Sequence, residues 1–117
     1  MPEYEQLIVS EVRDVTVVRF VDSKIIDTTK IHKLGEELIG LVEQESRKHI
    51  LLSFTNVEFL SSAALNKLIV LNNKVNLHGG KLRICNLCPE IHEVFMIIRL
   101  DKIFKIHEDE ASALDAF

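Results

Sequence analysis

The chain has 117 residues, a length that suits one domain able to bury roughly two thirds of its unfolded surface in a single core. Its composition, 47% hydrophobic and 27% charged, excludes a disordered chain; with aromatics at 6% and no Trp, the core must rest on Leu, Ile and Val. Lys and Arg number 14 against 18 Asp and Glu, a net charge of -4, and no basic stripe interleaved with aromatics appears, which argues against a nucleic-acid partner.

The opening, Met1 to Gln6, lacks the basic and apolar regions of a signal peptide. The longest unbroken apolar run, Val94 to Ile98, is five residues, too short to span a bilayer. The expectation is a cytoplasmic protein with no membrane partner, and two cysteines are compatible with a reducing compartment. Leu7 to Val9 and Val15 to Phe20 are rich in β-branched residues and read as strands, with Arg13-Asp14 between them as the turn of an antiparallel hairpin. Asp27-Thr28-Thr29 supplies N-cap chemistry for a first helix, in which Ile31, Leu34, Leu38, Leu41 and Val42 fall at helical spacing and Lys33, Glu36, Glu37 and Glu43 lie on the other side. Gly35 and Gly40 inside that helix each cost about 1 kcal/mol relative to Ala, which suggests close packing there.

Ile50 to Phe54 reads as a short strand buried on both faces. A polar loop follows, and Ser61-Ser62 then stand directly before an apolar helical segment that runs from Leu65 to Leu77 and stops at His78-Gly79-Gly80. Lys81 to Cys85 alternates polar and apolar and reads as a strand, Pro89 opens a third helix through Val94, Met96 and Ile97, Ile103 to Ile106 reads as a last strand, and Asp109 to Phe117 as a terminal helix. The order is ββαβαβαβα, which implies one α/β domain over residues 1–117 with a mainly parallel sheet and an N-terminal antiparallel hairpin.

Chemistry concentrates at the serines. A serine hydroxyl before a helix can accept a bond from an amide of the first turn, worth about 1 kcal/mol. The free N–H groups and the helix dipole also make the place hospitable to an anion. Ser61 or Ser62 is thus either a cap or a phosphorylation switch. Cys85-x-x-Cys88 precedes Pro89 as in thioredoxin-like proteins, but the chain's other proline is Pro2, so no later proline is left to complete that pattern. Both cysteines read as structural. His92 and His107 do not complete a zinc pattern with them, and no metal or other cofactor is called for. With glycines at 35, 40, 79 and 80 there is no phosphate-cradling loop, and no His-Asp pair is placed to activate either serine, so an enzyme is not expected.

On this pattern, the stretch Val57-Glu58-Phe59-Leu60-Ser61-Ser62-Ala63-Ala64-Leu65 resembles the strand-to-helix loop of the STAS domain, the fold of bacterial anti-sigma factor antagonists. Asp27 matches the aspartate before that family's first helix. Cys85-Asn86-Leu87-Cys88-Pro89 to Phe95 resembles its later strand-to-helix passage, and Asp101 to Ile106 follows at the expected distance. The chain departs from the pattern at Ser61 in place of an aspartate, Ala63 and Ala64 in place of a serine and a glycine, Asn66 in place of a small residue, Ser53 in place of an acidic or amide residue, and Arg99 in place of a glycine. The resemblance implies a STAS-type fold with about four helices. It also implies a protein partner that is an anti-sigma factor and serine kinase, Ser62 as the phosphoacceptor with Ser61 as second choice, and a contact surface of Asp27, Asn56, Phe59, Leu60, Ser61, Ser62 and Asn66. The other reading it permits is a STAS scaffold or assembly module without sigma-factor regulation.

Overall fold

The computed structural model describes residues 4–117. Strands β1 (Leu7–Val12) and β2 (Val15–Phe20) form the expected hairpin. Arg13 and Asp14 both have positive φ, 50° and 66°, as the tight turn matching the strands' right-handed twist requires. With β4 (His49–Ser53), β6 (Lys81–Cys85) and β7 (Lys105–His107) they build a sheet in the order β1-β2-β4-β6-β7, antiparallel in the first pair and parallel in the rest.

One face of the sheet is closed by α1 (Thr28–Glu43), α2 (Ser62–Leu77) and α3 (Pro89–Ile97), whose Leu38, Leu41, Leu68, Leu71 and Phe95 join Val18, Ile50, Leu52 and Ile84 in a single apolar core. The other face carries the short α4 (Glu110–Asp115), which seats Ala113 on Val15, Val17, Leu51 and Cys85. Because both faces are covered, β4 is buried along almost its whole length, as its unbroken apolar run anticipates.

Several details depart from the sequence expectations. Two further strands, β3 (Lys24–Ile25) and β5 (Phe59–Leu60), pair in parallel as a separate small sheet, and a single turn of 3-10 helix spans Leu100–Lys102. Elements of two or three residues carry no readable period. The last strand is displaced to Lys105–His107, leaving Ile103 exposed and Phe104 buried beside Phe95. Glu37, expected on the solvent side of α1, is only 9% exposed. Its carboxylate accepts the backbone N–H groups of Glu5 at 2.9 Å and Gln6 at 3.0 Å, tethering the chain's entry into β1. Close packing holds at Gly35, where an added Cβ would lie 2.8 Å from Cδ of Lys67 on α2, but at Gly40 only Gln44 comes within 4 Å. Gly79 ends α2 with φ of 73°, the left-handed turn that favours glycine.

Candidate functional site

The β3–β5 pair brings the two sequence-predicted site segments together. Ser23 C=O accepts the N–H groups of Glu58 at 2.7 Å and Phe59 at 3.2 Å, and Ser61 N–H donates to Ile25 C=O at 3.1 Å. Two residues beyond Ile25, Asp27 caps α1, its Oδ1 accepting Lys30 N–H at 3.0 Å. Asp27 and the loop to Ser62 therefore meet at the carboxyl ends of the strands, where open α/β sheets place their ligand crevices.

The structure separates the roles of the two serines. Ser61 has extended backbone and caps α2, its Oγ accepting Ala64 N–H at 3.3 Å. Ser62 is the first helical residue, exposed, and its hydroxyl makes no hydrogen bond with the described residues. Asn66 is exposed one turn further along α2, and Asn56 is exposed in the loop. Phe59 is 55% exposed and Leu60 half-buried. Between β5 and α3 lies a cleft of about 110 Å³ lined by Phe59, Leu60, Leu65, Ile91, Val94 and Phe95. Ile26 and Val94, both exposed beside these elements, lie outside the contact surface that the resemblance implies. The Ile25-Ile26 pair before the capping aspartate is a signal for the first; nothing local marks the second.

The cysteines sit on opposite faces of the sheet. Cys85 packs under α4 with Val17 and Leu51, and burial pushes its thiol up to about 11, which suppresses the reactive thiolate. Cys88 packs against the main core, at the start of α3, with no side-chain cap bond. Under α4 a polar network forms around Glu110: its carboxylate takes Arg19 Nη2 at 2.7 Å on both oxygens and Ser53 Oγ at 3.0 Å, and Ser53 Oγ lies 2.8 Å from Thr55 Oγ1 at the start of the loop. Glu110 on α4 thus sets a carboxylate beside Ser53, the position where the resemblance implies an acidic or amide residue. At the same end of the sheet His107, held below its ordinary value by burial and then by the Arg83 charge, lies 3.3 Å from Arg83 Nη1. Among the described residues, no cluster of three or more His, Cys, Asp or Glu side chains is arranged to hold a metal ion, and no helix is long and apolar enough to cross a membrane.

Comparison with known proteins agrees with this architecture. The family model of the STAS domain matches residues 6–113. The chain belongs to the STAS family. A curated relative, the anti-sigma F factor antagonist of Paenibacillus polymyxa, is 29% identical over 73 residues, and the match spans 62% of each chain, a little under two thirds of that relative's length. Among solved structures, an anti-sigma-factor antagonist (STAS) domain protein from Planctomyces limnophilus superposes with a TM-score of 0.82 at 21% identity, covering 94% of this chain and 96% of the other. The Bacillus cell fate determinant SpoIIAA in its phosphorylated form superposes at 0.71 with 16% identity, covering 94% and 97%. The STAS fold therefore extends over nearly the whole chain.

Proposed function

We propose that this STAS protein is an anti-sigma factor antagonist, which binds an anti-sigma factor that is also a serine kinase and is released when that kinase phosphorylates Ser62. The observation that carries the reading is the division of labour at the start of α2. Ser61 carries the cap, leaving the Ser62 hydroxyl exposed and without a hydrogen bond to the described residues beside the positive end of a helix. A phosphate there adds roughly -1.5 to -2 charges. The helix terminus returns about 0.3–1 kcal/mol of stabilisation, so the fold survives. A partner pressed on Phe59, Leu60, Ser61 and Asn66, with Asp27 and Asn56 at the margin, instead meets a hydrated dianion and loses its contacts. The relative from Paenibacillus polymyxa is named for antagonism of an anti-sigma factor, and SpoIIAA exists in a phosphorylated form; both support the reading.

The test is to incubate the purified protein with each anti-sigma factor kinase of the source organism and ATP, then map phosphate by peptide mass spectrometry across Phe54 to Lys67. Stoichiometric phosphate on Ser62, with loss of a complex formed before ATP is added, is expected. A partner that stays bound without modifying any residue would favour the scaffold reading.

A further inference from the structure

The outer edge of β1 is an open ladder. The two-residue turn at Arg13-Asp14 makes Val12 and Val15 a hydrogen-bonded pair, so alternate residues Ser10 and Ile8 also bond inward to β2. The Val21 N–H to Gln6 C=O bond of 3.1 Å continues the same alternation. The N–H and C=O groups of Leu7, Val9 and Glu11 therefore point outward, and among the described residues no strand lies beyond them. Natural edges are commonly blunted by Lys, Pro or a bulge; Leu-Ile-Val-Ser-Glu-Val has neither Lys nor Pro and pairs with β2 without a bulge. On the α4 side of the sheet the strand is also bare, with Ile8 53% and Val12 41% exposed.

We propose that β1 docks a second copy of this chain, the two strands pairing antiparallel about a two-fold axis at Val9 and joining the two sheets into one. A two-fold axis normal to the sheet is the symmetry that lets an edge pair with itself. Charge and reach select the register. Centring on Glu11 would set the two Glu11 side chains against each other, and centring on Ile8 would oppose Glu11 and Glu5, both repulsive across strands. Centring on Ser10 would oppose Leu7 to Arg13, which lies in the turn with φ of 50°. Centring on Val9 uses all three outward residues: Leu7 faces Glu11 of the second copy, Val9 faces Val9, and Glu11 faces Leu7. It also sets exposed Arg13 toward exposed Glu5 at each end, and Ile8 diagonal to Ile8 and Val12 of the second copy. Arg13 now holds Asp115 in a surface pair of 3.1 Å, a contact weak enough to be shared.

The whole protein is examined by sedimentation velocity and by hydrogen exchange over a roughly thousandfold range of concentration. A monomer–dimer equilibrium is expected, in which the amides of Leu7, Val9 and Glu11 exchange about tenfold or more slowly in the dimer. Ile8, Ser10 and Val12, already bonded to β2, should change little. Val9→Pro removes an outward N–H without touching the β2 ladder, as edge strands tolerate, and should leave a folded monomer. If that variant does not fold, the double substitution Ile8→Lys and Val12→Lys, on exposed positions, should give the monomer instead. A protein that stays monomeric throughout overturns the proposal. So does a dimer in which the odd-numbered amides of β1 exchange as fast as in the monomer.

Discussion

Two helices begin close together at the carboxyl end of the sheet, and their starts differ in charge. At α1 the cap is Asp27, bonded to Lys30 N–H at 3.0 Å; at α2 it is Ser61, bonded to Ala64 N–H at 3.3 Å. Each cap is followed by an exposed hydroxyl at the first helical position, Thr28 and Ser62. At α1 the positive end of the helix dipole already faces a carboxylate. At α2 a neutral hydroxyl satisfies the amide and leaves the positive potential uncompensated, so a new anion is stabilised more there. Two hydroxyls in equivalent local geometry therefore offer an anion unequal stabilisation, and the difference lies in the neighbouring cap.

The largest effect should fall on partner binding. Ser62→Asp is expected to fold normally and to weaken the anti-sigma factor complex by at least about tenfold, equivalent to roughly 1.4 kcal/mol or more. Thr28→Asp should leave the affinity nearly unchanged, and Ser62→Ala should bind yet resist phosphorylation. Calorimetric titration of the four proteins checks this; equal weakening by Asp at 28 and 62 would erase the contrast.

The caps themselves come next. Ser61→Ala and Asp27→Ala should each cost about 1 kcal/mol, read as a drop of several degrees in the melting temperature. Ser62→Ala should cost far less, since the Ser62 hydroxyl bonds no amide among the described residues. Thermal unfolding of the three variants separates the capping serine from the free one. A smaller change sharpens the comparison: Ser61→Asp gives α2 the anionic cap that α1 has, and should add about 0.3–1 kcal/mol. It should also remove most of the stabilisation that phosphate on Ser62 brings, so phosphorylated and unmodified forms of that variant would melt closer together than those of the parent protein.

The smallest expected effect is at a third capped start. Asp109 accepts Ser112 N–H at 2.8 Å at the head of α4, and that backbone bond, with the Ser112 hydroxyl, holds its carboxyl below the ordinary value of 3.8. The folded-state value is depressed, so the bond's contribution is full above 3.8 and disappears as pH falls through the lower folded value. Following the Ser112 amide by NMR during acid titration should show α4 loosening in that window, with no matching change before it. A transition centred above pH 3.8 would mean that the cap does not favour the ionised form.

Much of this architecture was legible locally. The strand pairing of Leu7–Val12 with Val15–Phe20, the core face of α1, the all-apolar β4 and the glycine stop after α2 follow from period, turn chemistry and caps, which act over a few neighbouring residues. The Asp27 cap and the serine start of α2 belong to the same class. What the sequence determined by itself was therefore the longer elements, their order and the capped serine start of α2. Only the tertiary structure decided that residues 24–25 and 59–60 would pair and bring Asp27 to the serine loop, because an element of two residues is stabilised by its partner and has no period of its own. It also decided that Glu37 would turn inward to hold two amides and that Glu110 would stand beside Ser53, while Cys85 and Cys88 would face opposite layers. Between Ser61 and Ser62, the cap and the free hydroxyl were likewise assigned by the backbone, whose extended conformation at Ser61 aims one Oγ at Ala64 N–H and leaves the other in solvent. Hydrogen bonds and ion pairs between residues distant in sequence depend on where the chain returns, and that is set by the packing of the whole sheet.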